Sequence, residues 1–219
     1  MNKKIKILLI TSFACCIQLN VIAQSHAIQT DLSKSSNFQV VNRNISILNE
    51  QAKVVVHLDA REGAGVAWLN NTTFDKGVID FDEKGKNVFQ QSFIGIAFHG
   101  QDDSTYDCIY FRPFNFQSTD TTRKNHSVQY ISMPHHDWYV LRKNFPAKYE
   151  NALTKNIEPD EWLHVKIIVT NKTIEVYVNG DNKPSLVVKP ISRNSSGKIG
   201  FWMGNNSEGS FMNLIIKTK

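Results

Sequence analysis

Cysteine is scarce in this chain. Of three in 219 residues, Cys15 and Cys16 fall in the first apolar run and only Cys108 lies beyond it. One thiol past that run cannot form an intramolecular disulfide, so a hydrophobic core has to hold the fold. Long apolar runs are lacking too. The one exception, ILLITSFACCIQLNVIA, follows the basic MNKKIK and ends in Val21-Ile22-Ala23. This is the pattern of an export signal, with cleavage after Ala23 leaving Gln24 first. Acylation at Cys15 or Cys16 is the weaker alternative, because Ser12-Phe13-Ala14-Cys15 has a bulky Phe13 and no leucine three before the cysteine. No later stretch is long enough to span a membrane. The expectation is an exported chain, periplasmic or extracellular, working as a monomer.

An excess of one charge is also missing. Lys3, Lys4 and Lys6 leave with the signal, so 25 basic residues become 22 against 20 acidic ones, a net charge of +2. The apparent basicity belongs to targeting, and nucleic acid is not an implied partner.

Helical periodicity is nearly absent. Arg142 to Asn151 alone has helical character, and Pro146 limits it to a turn or two. Alternating or apolar runs fill the rest: 38–41, 45–48, 52–58, 65–69, 77–81, 92–99, 107–114, 127–132, 162–170, 173–179, 185–188, 198–204 and 210–217. Turn signals such as Asn70-Asn71, Asn171-Lys172, Asn179-Gly180 and Glu208-Gly209 separate them. Short strands at this spacing predict an all-β sandwich or barrel. After a polar leader at 24–37, one domain is expected over 38–219.

The last third is the most legible part. In EWLHVKIIVTNKTIEVYVNG, Trp162, Val165, Ile167 and Val169 alternate with His164, Lys166 and Ile168. The chain then turns back through Ile174, Val176 and Val178 to Asn179-Gly180, which predicts a hairpin. GKIGFWMGNNSEGSFMNLIIK closes the chain, with Phe211-Met212-Asn213-Leu214 in its final strand. These segments resemble the C-terminal half of the concanavalin A-like lectin/glucanase superfamily. The nearest in feel are laminin-G-like domains and the 3-keto-disaccharide hydrolase-like domains of exported bacterial proteins. The resemblance covers about residues 38–219. It implies an antiparallel two-sheet jelly roll with ligands along a concave face. It is specific for fold and leaves the activity open, because the superfamily spans lectins, hydrolases, lyases and adhesion modules.

The middle of the chain carries the candidate chemistry. IYFRPFNF puts Tyr110, Arg112 and Phe114 on one side and Ile109 and Phe111 on the other. In VQYIS, Val128 and Tyr130 share one face, Gln129 and Ile131 the other. A sugar site needs planar hydrogen-bonding groups for hydroxyls and an aromatic plate for the ring face. Arg112, Asn115, Gln129, Tyr130, Trp138 and Arg142 supply both kinds, and His99 ends a neighbouring strand. Against this, Arg112 is equally read as a tie to Asp107, Glu150 or Glu161, Asn115 as a turn residue, and Trp138 as a core plug. Trp68, Trp162 and Trp202 read as core.

For catalysis, Glu150 and Asp107 are the acids closest in sequence to the cluster and are the candidate catalytic residues. The Glu-x-Asp-x-x-Glu strand of retaining glucanases is absent, and Glu158-Pro159-Asp160-Glu161 has the wrong spacing. The strand signatures of β-sandwich alginate lyases, nucleophile elbows and phosphate loops are absent too. His135-His136-Asp137 lacks zinc spacing, since neighbours in extended chain point apart. No cofactor is expected. The superfamily resemblance leaves a structural calcium near Asp75, Asp80 and Asp82 as an alternative. The expectation is an exported carbohydrate-active protein that binds a glycan on the concave face, with hydrolysis left open. The alternatives are a non-catalytic carbohydrate-binding module or a laminin-G-like protein-interaction domain.

Overall fold

The computed structural model describes residues 26–218. The signal and acylation readings concern residues outside that range. Strands run β1 (His26–Gln29), β2 (Phe38–Val41), β3 (Ile45–Glu50), β4 (Lys53–Leu58), β5 (Gly65–Phe74), β6 (Gly77–Lys84), β7 (Ile94–Gly100) and β8 (Asp107–Phe111). They continue with β9 (Val128–Ser132), β10 (Glu150–Asn151), β11 (Leu163–Val169), β12 (Ile174–Val178), β13 (Leu186–Val188), β14 (Gly197–Met203) and β15 (Gly209–Thr218). Two short helices, α1 (Thr121–Lys124) and α2 (Trp138–Asn144), interrupt them.

All pairings are antiparallel, in two sheets. One has the order β13-β12-β11-β6-β15-β4-β3, with β1 added beside β15. The other has the order β10-β9-β8-β7-β14-β5-β2. The molecule is a two-sheet antiparallel sandwich, as the strand spacing predicts. Hydrophobic alternation explains the pairing: in β11, Leu163, Val165, Ile167 and Val169 are buried while Lys166 is exposed. Val165 faces Val178, and Val169 faces Ile174 across the hairpin. Past the hairpin, Asn179 and Gly180 both take positive φ (45° and 66°), and the Asp181 N–H closes their turn onto the Val178 carbonyl at 3.0 Å. The core lies between the sheets. Phe201 of β14 stacks on Phe211 of β15, ring centroids 4.2 Å apart at 13°.

Some local expectations shift. The segment taken for a polar leader contributes β1, which pairs with Ile215–Thr218, and buries Leu32. Asn70-Asn71 is no turn but lies within β5, where Asn71 takes a φ of 55°. The helix falls earlier than 142–151. Asp137 caps its start by accepting from the Val140 N–H, and the chain leaves it at Phe145, just before Pro146. IYFRPFNF ends as Pro113 suggests. Regular pairing stops at Phe111, and Pro113–Asn115 forms a 3-10 turn.

Candidate functional site

Period two settles which side chains leave the core. Phe201 points at the other sheet, so its neighbour Trp202 points outward. Tyr110 of β8 is paired with Gln129 of β9 and shares that outer face. On it lies a cavity of about 650 Å³. Its floor holds Tyr110, Ile131 and Trp202. One wall is Phe89 and Phe93 from the β6–β7 connection. Another is the turn carrying Phe114 and Asn115, followed by Arg123 of α1 and then His126. The β9–β10 connection closes the cavity with Met133, Asp137, and Trp138 and Arg142 of α2.

Polar groups in the wall form a linked set. Arg112 donates to the His126 carbonyl at 2.8 Å, to the Tyr110 hydroxyl at 2.5 Å and to Gln129 Oε1 at 2.6 Å. Its guanidinium lies over the Tyr110 ring, 4.8 Å from the centroid. Arg142 grips Glu150 with two bonds, Nε to Oε1 at 2.9 Å and Nη2 to Oε2 at 2.6 Å. His126 Nδ1 stands 2.8 Å from the same carboxylate. Burial lowers the His126 pKa, and Glu150 acts in the opposite direction. Burial pushes the Tyr110 and Tyr106 phenols up to about 12, so both stay protonated and able to hydrogen-bond. The Trp202 indole N–H donates to the Tyr106 hydroxyl at 3.0 Å. Four buried polar atoms of the lining layer make no hydrogen bond among the described residues: Asn115 Oδ1, Gln129 Nε2, Arg123 Nε and, despite its closeness to Glu150, His126 Nδ1.

No family model and no curated protein matches the chain. Solved structures do. A carbohydrate binding module (CBM66) from Bacillus subtilis aligns at 12% identity over 84% of this chain and 96% of its own, with a TM-score of 0.57. A putative glycosyl hydrolase from Parabacteroides distasonis aligns at 13% identity over 86% and 91%, TM-score 0.53. A β-glucanase from Bacillus licheniformis aligns at 14% identity over 80% and 82%, TM-score 0.51. The chain has the concanavalin A-like fold.

On that fold, the residues singled out from sequence divide between the two faces of one sheet. Arg112, Asn115, Trp138 and Arg142 line the cavity. Gln129 stands behind Arg112 as its acceptor. Tyr130, next in the strand, points the other way. Its hydroxyl donates to Asp107 Oδ1 at 2.8 Å and accepts from the Ile191 N–H at 3.2 Å. Asp107 also meets His99 Nδ1 at 2.9 Å, and His99 Nε2 is 2.6 Å from the Asp75 carbonyl. Asp107, His99 and Tyr130 therefore form a buried network that ties β7, β8 and β9 to the segments around Asp75 and Ile191, away from the cavity. Glu150 stands behind Arg142 and does not join the lining.

Arg112 pairs with none of Asp107, Glu150 or Glu161, so the reading of it as an ion-pair tie is not met. Among the described residues no group of three or more His, Cys, Asp or Glu side chains is arranged to hold a metal. Asp82 is instead engaged by His164 and Asn213, and Asp75 by the Lys76 N–H. Trp202 and Trp68 belong to the buried core cluster as expected; Trp202 also lines the cavity, and Trp68, on the same outer face, donates to Asp103 at 2.9 Å. Trp162 is only half-buried. Sequence reasoning also passed over Phe89, Phe93 and Arg123, and the signal for them was faint. Arg123 sits in a polar run, TDTTRKN, that reads as a solvated loop.

Proposed function

We propose that this chain is an exported glycan-binding β-sandwich, with its site in the cavity on the outer face of the seven-stranded sheet. The observation that carries the proposal is the composition of that cavity. Aromatic rings of Tyr110, Phe114, Trp138 and Trp202 stand beside the planar polar groups of Arg112 and Asn115. Sugars require this pairing, because each ring offers an apolar face and a rim of hydroxyls. The neighbouring structures named as a carbohydrate binding module, a glycosyl hydrolase and a β-glucanase support the same ligand class. The basic-then-apolar leader supports export.

Binding without turnover is the form the geometry favours. Glycoside hydrolysis needs two carboxyl groups flanking the scissile bond, one of them free to give up a proton. Here Glu150 is held by Arg142 in a bidentate pair, and Asp107 is bonded to His99 and Tyr130 on the core side. Titrating the chain against a glycan panel by calorimetry, with product analysis on the same samples, tests the reading. At least one glycan should bind, no sugar should be released, and Trp138→Ala should weaken binding by roughly tenfold. Failure of every glycan to bind would remove the proposal, and released sugar would restore the hydrolase reading.

A further inference from the structure

The fold leaves the charge of Arg112 unanswered. The residue is 5% exposed and lines the cavity. Among the described residues, no carboxylate oxygen comes within 4.0 Å of its guanidinium. All three of its side-chain hydrogen bonds go to neutral oxygens, although a guanidinium carries five N–H donors. A buried cation without an anion is costly, and burial lowers the Arg112 pKa from the usual arginine value. Arg123, in the same lining, also has no ion-pair partner among the described residues. Its Nε is buried without an acceptor, and its head rests on the Phe89 ring, 4.5 Å from the centroid. Arg142 differs, because Glu150 meets its charge. The one acid in the lining, Asp137, is committed to capping α2.

We infer that the glycan bound here carries an anionic group, a uronate carboxylate or a sulfate ester, which Arg112 receives, with Arg123 as the second cation of the cavity. The inference rests on the cavity being the glycan site. The donors Arg112 has left, its Nε–H and the second Nη1–H, can each meet an oxygen of either oxyanion, and aromatic walls strengthen the attraction by keeping water away. The whole chain past its leader is nearly balanced in charge, so the excess of cations in the cavity is local.

Calorimetry on the intact chain with matched pairs tests this: oligogalacturonate against its methyl ester, and a sulfated chondroitin oligosaccharide against its desulfated form. At least one acidic member should bind roughly tenfold or more tightly than its neutral partner. That advantage should shrink as salt rises from about 50 to about 500 mM. Which pair shows it distinguishes carboxylate from sulfate. Arg112→Gln should bring the two members of the preferred pair within about threefold of each other. Arg123→Gln, at a more exposed position, should narrow the gap even if Arg112→Gln fails to fold. Equal affinity for neutral and acidic members in the wild-type chain would overturn this inference and leave the glycan site standing. Binding of no glycan at all, acidic or neutral, would overturn both.

Discussion

Glu83 occupies a place where a carboxyl group has no company. It lies on the inward face of β6, between Leu163 of β11 and Phe211 of β15, and is 1% exposed. Neither of its oxygens has a protein partner among the described residues. Burial holds its pKa well above the ordinary 4.5. The linkage has a definite sign. Once the pH rises above about 4.5 the unfolded chain releases this proton while the folded chain keeps it, so folding loses stability until the folded-state pKa is passed. Glu83→Met fills the same space without the polar atoms. It should raise stability at pH 7 by about 1–3 kcal/mol, the usual cost of an unsatisfied buried polar group. It should also flatten the fall in stability above pH 4.5. Urea unfolding at several pH values checks both, and a destabilised Glu83→Met would mean that the carboxyl is satisfied by a group the chain itself does not supply.

At the scale of elements, α2 does most to shape the cavity, although it has only seven residues. Asp137 holds its first turn, and the helix carries Trp138 and Arg142 into the lining. A cap of this kind contributes about 1 kcal/mol. Asp137→Ala should therefore lower stability by about that amount and weaken glycan binding with it. Asp137→Asn, which caps as well, should keep both, as denaturation and calorimetry on the same preparations would show. Elements also explain which features were readable from sequence. β11 and β12 were legible because one face of each meets the core and the other meets solvent. β8 and β9 are buried on both faces, so alternation identified their two sides without saying which was inward. The sequence therefore offers Gln129 and Tyr130 alike as ligand contacts, although adjacent strand residues face apart. β1 is not legible because His26–Gln29 has only two adjacent apolar residues between polar ends, so no alternation registers.

Across the whole molecule the two sheets divide the work. The eight-stranded sheet supplies core, while the seven-stranded sheet gives one face to the core and the other to the cavity. Stability and binding should then separate by face. Phe211 lies on the eight-stranded sheet, is fully buried and stacks on Phe201. Trp138 is 46% exposed and touches the core little. Phe211→Ala leaves a void that the sandwich cannot close, and should cost about 3–5 kcal/mol. Trp138→Ala should change stability by no more than about 0.5 kcal/mol, as surface substitutions usually do. Binding should show the reverse order. Below the unfolding transition the folded fraction of Phe211→Ala should hold its glycan with an affinity within about twofold of wild type, since Phe211 and the cavity lie on opposite sides of the seven-stranded sheet. Chemical denaturation paired with calorimetry on both variants measures this. If Phe211→Ala weakened binding as much as Trp138→Ala, the cavity would depend on the inter-sheet core, and the division between the two faces would be wrong.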